Sequence, residues 1–185
     1  MTYSSDIAAR IVIRAAKFAG LTEVKNNQVW DDPETPGVDP LAAELQAELL
    51  RTGWQLGWPY CAAFVEVCWR YGYQGRTELP IISKMLNPHC LTTWNNAAEL
   101  GWTSQTPKVG SIGVMKKGST SSGHAFIVSG IAGNTLQTIE GNTSPAPTGP
   151  DSDREGDGVY RKTRPLVFAP TTGLHLIGFI TPFTD

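Results

Sequence analysis

Residues 123–142 read GHAFIVSGIAGNTLQTIEGN, and their period decides the fold. Buried-type and small residues alternate from His124 to Ile131 and again from Thr135 to Ile139, the two-residue repeat of strands with one buried face. Ala132-Gly133-Asn134 lies between them and supplies turn residues, so the stretch is expected to form a β-hairpin. With a three-residue loop Ile131 pairs with Thr135, which sets His124 opposite Asn142 and Phe126 opposite Glu140, all on one face. A two-residue Gly133-Asn134 turn would carry Glu140 and Asn142 to the other face. A shared face for His124, Glu140 and Asn142 therefore predicts the three-residue loop.

Working outward, the same period recurs in Ser111–Met115 and around Leu174–Ile180, and antiparallel strands are expected there. Before residue 110 the period is helical. Ser4, Ser5 and Asp6 offer capping oxygens ahead of Ile7, Ile11, Ala15 and Phe18, and Gly20 stops the stripe. Arg10, Arg14 and Lys17 share another face of that helix, read as solvated. Asp39-Pro40 gives a cap and a first-turn proline to Leu41, Leu45 and Leu49, with Gly53 as the stop. A third helix is read from about Tyr60 to Tyr71, its stripe Cys61, Phe64, Val65 and Cys68 closed by Gly72. Helices first and strands after is the order of an α+β fold, N-terminal helices packed on a central antiparallel sheet.

At 185 residues the chain suits one domain, with residues 1–53 as a helical part, 54–145 carrying the motifs, and 146–185 a loop and closing strands. Hydrophobic residues make up 41%, enough to offset the entropy of ordering a core. A formal net charge of −2 speaks against a dedicated nucleic-acid binder, which needs clustered Lys and Arg. No stretch has the roughly 18 apolar residues of a membrane span. Asp6 and Arg10 stand where a secretion signal needs an apolar run. Three cysteines without a Cys-x-x-Cys give neither a disulfide framework nor a four-ligand zinc site, and no metal or cofactor is expected.

One cysteine is placed for chemistry. Cys61 follows Pro59-Tyr60 and opens a helix, where unpaired N–H groups and the positive dipole end stabilise a thiolate and supply oxyanion donors. Cys68 lies two turns on and is read as core. Cys90 is read in a loop after His89, and His175 as a structural histidine inside a strand. His124 enters its strand after a Ser/Gly loop and can face a cleft. A thiol, an imidazole and a polar residue to orient the ring, in the order Cys61, His124, then Glu140 or Asn142, form the nucleophile, base and orienter of thiol hydrolases.

At these residues the sequence resembles the CHAP (cysteine, histidine-dependent amidohydrolase/peptidase) domains of the papain-like group that includes the NlpC-type cell-wall hydrolases. The resemblance is carried by Pro59-Tyr60-Cys61-Ala62-Ala63-Phe64-Val65, Trp94-Asn95, Pro107-Lys108-Val109-Gly110-Ser111-Ile112, Gly123-His124-Ala125-Phe126-Ile127-Val128 and Ile139-Glu140-Gly141-Asn142, within residues 54 to 145. Tyr60 stands where many relatives have Trp, and Gly110-Ser111 where they have Gly-Asp. The resemblance implies a papain-like fold with Cys61 as nucleophile, His124 as base, Glu140 as the usual third member and Asn142 as polar support. The hairpin register favours Asn142 as the neighbour of His124, so the orienter stays open between the two.

For the oxyanion, the Cys61 N–H is joined by Tyr60 and Gln55 as candidate donors. Arg154, Tyr160, Arg161 and Arg164 fall in a rim loop, available to substrate carboxylates. Asp151 to Asp157 resembles a calcium loop, but Lys162 stands where the bidentate Glu belongs. The implied substrate is peptidoglycan or a muropeptide, cut at the muramoyl-L-alanine amide or within its peptides. A non-catalytic cell-wall-binding module is the alternative. A monomer is expected, made in the cytoplasm and reaching the wall after lysis, as an endolysin does, or through a dedicated secretion machine, in which case an inhibitory immunity protein is a partner.

Overall fold

The computed structural model describes residues 2–24, 39–145 and 156–184. Arg154 and the calcium-like run through Glu155 lie outside these residues. The elements in chain order are β1 (Thr2–Tyr3), α1 (Ser5–Phe18), α2 (Pro40–Arg51), α3 (Cys61–Gly72), α4 (Leu79–Met85) and α5 (Cys90–Glu99). Then come β2 (Thr103–Ser104), β3 (Ile112–Lys117), β4 (Gly123–Ala132), β5 (Thr135–Thr143), β6 (Gly158–Pro165), β7 (Leu174–Ile180) and β8 (Phe183–Thr184). Helices precede a six-stranded antiparallel sheet of order β2-β7-β3-β4-β5-β6, so the fold is α+β. A small β1-β8 pair ties the two ends together.

The helices start where their caps stand. Ser4 Oγ accepts from Ile7 N at 3.4 Å, and Asp39 Oδ1 from Leu41 N at 2.9 Å. α3 is buried along nearly its whole length, because α1 covers one side and the sheet the other. Ile112, Val114, Ala125, Ile127, Ile139, Val159 and Ile180 form the sheet's contribution to the main core. Phe126, Val128, Leu136, Leu176 and Phe179 leave the opposite face and build a second, smaller core.

The basic face of α1 is solvated only in part, at Lys17 and to a lesser degree Arg10. Arg14 is buried and bridges Glu44 at 2.7 Å and Glu48 at 3.4 Å on α2, while Lys17 meets Glu44 at 2.6 Å. Opposite charge on α2, invisible to a single-helix reading, accounts for the difference.

The hairpin also differs from expectation. Ala132 pairs with Thr135, so the turn has two residues, Gly133-Asn134, with Gly133 at φ 58° in a conformation glycine adopts freely. A bulge between Val128 and Gly130 then absorbs Ser129, and beyond it Val128 pairs with Thr138 and Ile127 with Ile139. That is the register a three-residue loop would have given, so His124 and Glu140 still share a face.

Candidate active site

Cys61 is the first residue of α3, and two strand ends converge on it. Asn142, near the end of β5, sits at φ 55°, a left-handed conformation that asparagine tolerates, where the β5–β6 register slips. Its Oδ1 accepts the Tyr60 backbone N–H at 3.2 Å, capping a helix whose own N-cap side chain makes no cap bond. Gly141 lets the strand come this close: a Cβ there would lie 2.7 Å from Phe64 Cβ and 3.1 Å from Tyr60 Cε2.

His124, second in β4, is buried and lines the same cavity as Cys61, close enough to act on its thiol. Its Nε2 lies 2.8 Å from Glu140 Oε2, which leaves Nδ1 as the ring nitrogen available to the sulfur. Glu140 is fully buried and is itself held. Arg164 Nε donates to its Oε1 at 2.7 Å and Arg164 Nη2 to its Oε2 at 2.6 Å, while the Thr138 hydroxyl donates to Oε1. Arg164 therefore turns inward from β6 rather than reaching out from a rim loop. Of its sequence neighbours there, Arg161 stays exposed and Tyr160 donates to Asp157 at 3.1 Å.

The charges follow from these contacts. Burial raises the Cys61 thiol, but the His124 hydrogen bond and charge, with the Ala125 and Ala62 N–H groups, outweigh it and hold the thiol below its ordinary value. Burial lowers His124, yet Cys61 and Glu140 overcome that and raise it to about 9. Glu140 is pushed up by burial and down further by His124 and Arg164, ending well below the usual carboxylate range. The shifts run in the direction of a thiolate–imidazolium pair backed by an ionised carboxylate. Cys68, by contrast, has only burial dominating, and its thiol is raised.

Cys61 is 8% exposed and opens onto a cavity of about 530 Å³. Thr52, Gly53, Trp58 and Pro59 form one wall. The other is the α4–α5 connection, Asn87, Pro88, His89 and Cys90. Ser122, Gly123, His124 and Asn142 complete the lining.

The structure thus brings together Cys61, His124 and Glu140, with Asn142 at the helix cap. Tyr60 and Gln55 are not brought to the cavity. The Tyr60 ring turns into the core, edge-on to Trp54, where burial and the nearby Glu23 carboxylate push its phenol well above the ordinary value. Gln55 is exposed in a turn whose carbonyl accepts Trp58 N at 3.1 Å. Cys90 opens α5 rather than lying in a loop, and it lines the same cavity as Cys61. His89 precedes it, with Nδ1 3.3 Å from Thr92 Oγ1, and among the described residues no cluster of His, Cys, Asp or Glu could hold a metal. His175 lies within β7, as expected, with Nδ1 3.4 Å from Gly173 O.

The sequence reading missed Thr138 and misplaced Arg164. Thr138 sits two residues before Glu140 on the same strand face, a signal the two-residue period already contained. Arg164 needed β6 to be recognised as a strand.

No curated protein matches the chain. The family model described as CHAP domain matches residues 51–142, a segment that opens at the end of α2, contains Cys61, His124 and Glu140, and closes on Asn142. The chain belongs to the CHAP-domain family.

Proposed function

We propose that this protein is a cysteine amidase or endopeptidase that hydrolyses amide bonds of bacterial peptidoglycan. CHAP domains are generally cysteine- and histidine-dependent amidohydrolases, and the family points to peptidoglycan-hydrolase-type function. The observation that carries the reading is the Cys61–His124–Glu140 line at the head of α3, a nucleophile, base and orienter in the papain-like order.

In this reading the Cys61 thiolate attacks the amide carbonyl, and the tetrahedral oxyanion forms beside the free N–H groups at the α3 N-terminus. The His124 imidazolium gives its proton to the departing amine, leaving a Cys61 thioester. Water, deprotonated by the now neutral His124, attacks the thioester and releases the acid, and the proton returns the site to its resting pair. Glu140 holds the ring through Nε2 in every step. Trp58 and His89 line the cavity onto which Cys61 opens and are placed to contact a bound substrate.

The test is mass spectrometry of soluble products after incubating purified sacculi with the protein and with Cys61→Ala. Fragments released only by the protein carrying Cys61 support the proposal, and their masses name the bond. Sedimentation of both proteins with sacculi and no release by either would make it a binding module instead.

A further inference from the structure

We infer that Arg164, beyond the family-matched segment, is a positioning residue of the thiol site: it grips both oxygens of Glu140 and supplies the fourth charge of a buried, neutral quartet. The inference rests on the proposal that Cys61 is the nucleophile. Its basis is geometric. Two guanidinium nitrogens reach the two carboxylate oxygens at 2.7 and 2.6 Å, the bidentate fork that fixes a carboxylate in plane as well as in place. One of those oxygens is the one 2.8 Å from His124 Nε2, so the plane Arg164 imposes is the plane the imidazole inherits.

Charge counting gives the second reason. Thiolate, imidazolium and carboxylate leave one uncompensated negative charge, with Glu140 and His124 almost wholly removed from water. An uncompensated buried charge is removed by protonation, and here the proton would come to rest on the thiolate or the carboxylate. Arg164, 5% exposed and 5.5 Å from the Phe126 ring centroid, cancels it from the side of Glu140 away from the imidazole.

The other ionisable groups around the site do not replace it. Cys90 of α5 is raised by burial and by the Cys61 charge, and it stays a neutral thiol. Lys162 of β6 points its ammonium at Thr143 Oγ1 and Ser144 O. Lys116 of β3 lies in register with Gly123 rather than with Glu140. His175 of β7 shares with Arg164 the lining of a cavity of about 200 Å³ on the outer face. Tyr160, in register with Glu140, donates to Asp157.

A purely structural arginine would staple β6 to β5 without affecting the thiol. The experiment separates the two by following Cys61 alkylation with iodoacetamide against pH, read by mass spectrometry, in the parent, Arg164→Met and Arg164→Lys. Arg164→Met is expected to move the acid limb of alkylation upward by about one pH unit, transmitted through Glu140 and His124, whose charged forms lose support when the opposite charge beside Glu140 is removed. Arg164→Lys, which keeps charge without the fork, is expected to return the limb to within about 0.3 unit while peptidoglycan turnover stays at least about tenfold down. A folded Met variant with an unmoved limb overturns the inference. If the Met variant does not fold, a Lys variant displaced by a full unit overturns it equally. A parent protein whose Cys61 shows no depressed limb sinks the nucleophile proposal itself, whereas a normal parent limb indifferent to Arg164 sinks only this one.

Discussion

The carboxamide of Asn142 and the backbone of Tyr60 are joined by one hydrogen bond of 3.2 Å, so the end of β5 fixes the start of the helix that carries Cys61. Asn142→Gly suits the φ of 55° but removes the acceptor, and it isolates the cap from backbone strain. The cost expected is about 1 kcal/mol, a fall in Tm of roughly 2–4 °C for a chain of this size. Calorimetry checks it, and an unchanged Tm would show that the cap contributes nothing.

Cys61 alkylation should rise at pH values below the ordinary thiol value of 9.0, because the depressed thiol ionises early. Amide hydrolysis should then decline on the alkaline side near pH 9, as His124 loses the proton it must deliver to the leaving amine. Turnover that keeps rising beyond pH 10 would contradict this assignment of the proton.

Glu140→Gln keeps the shape of the orienter and removes its charge. Turnover is expected to fall roughly 10²- to 10⁴-fold. Stability falls as well, by about 3–5 kcal/mol, because buried Arg164 loses the carboxylate it grips. Glu140→Gln combined with Arg164→Met should recover most of the stability and little of the activity, which thermal melts and sacculus digestion together would show.

Acid sensitivity follows with a definite sign. Glu140 has a folded value lowered from its ordinary 4.5, so its stabilising contribution is whole above that pH and drains away as pH falls below it. The parent should therefore lose Tm between pH 5 and pH 3 more steeply than the doubly substituted protein. Parallel losses would contradict the linkage.

Gly141→Ala adds a Cβ 2.7 Å from Phe64 Cβ. Backbone must shift where α3 crosses β5, at a cost of about 1–3 kcal/mol. Because the displaced elements carry Cys61 and Glu140, turnover should fall at temperatures where the variant is still fully folded.

The sequence announced its helices where caps and stripes coincide, at Ser4 and Asp39, or where a stripe follows a proline, at Cys61, and its strands where apolar residues alternate. α4 and α5 escaped because one is seven residues long with Pro80 in its first turn, and the other has no capping side chain at His89. β6 escaped because Tyr160, Lys162 and Arg164 make its sheet-side positions polar, and a buried arginine reads as solvent-facing until its carboxylate is known. The hairpin shows a subtler limit. Residue types specified that His124 and Glu140 share a face, yet a bulge at Ser129 rather than the loop length delivered it, since both devices insert one residue. The choice between Glu140 and Asn142 turned on strand-end geometry: the backbone at Asn142 leaves extended conformation and turns its side chain to the helix.

The order of the sheet also bears on how the protein is made. β3 lies between β4, which follows it directly, and β7, which arrives almost at the end of the chain, while β6 brings Arg164 only after the thiol, the imidazole and the carboxylate have all been synthesised. Long-range pairings of this kind form late. On the proposed mechanism, a nascent chain halted between residues 61 and 164 holds the nucleophile without its charge balance, so the thiol would become reactive only once the last strands are in place.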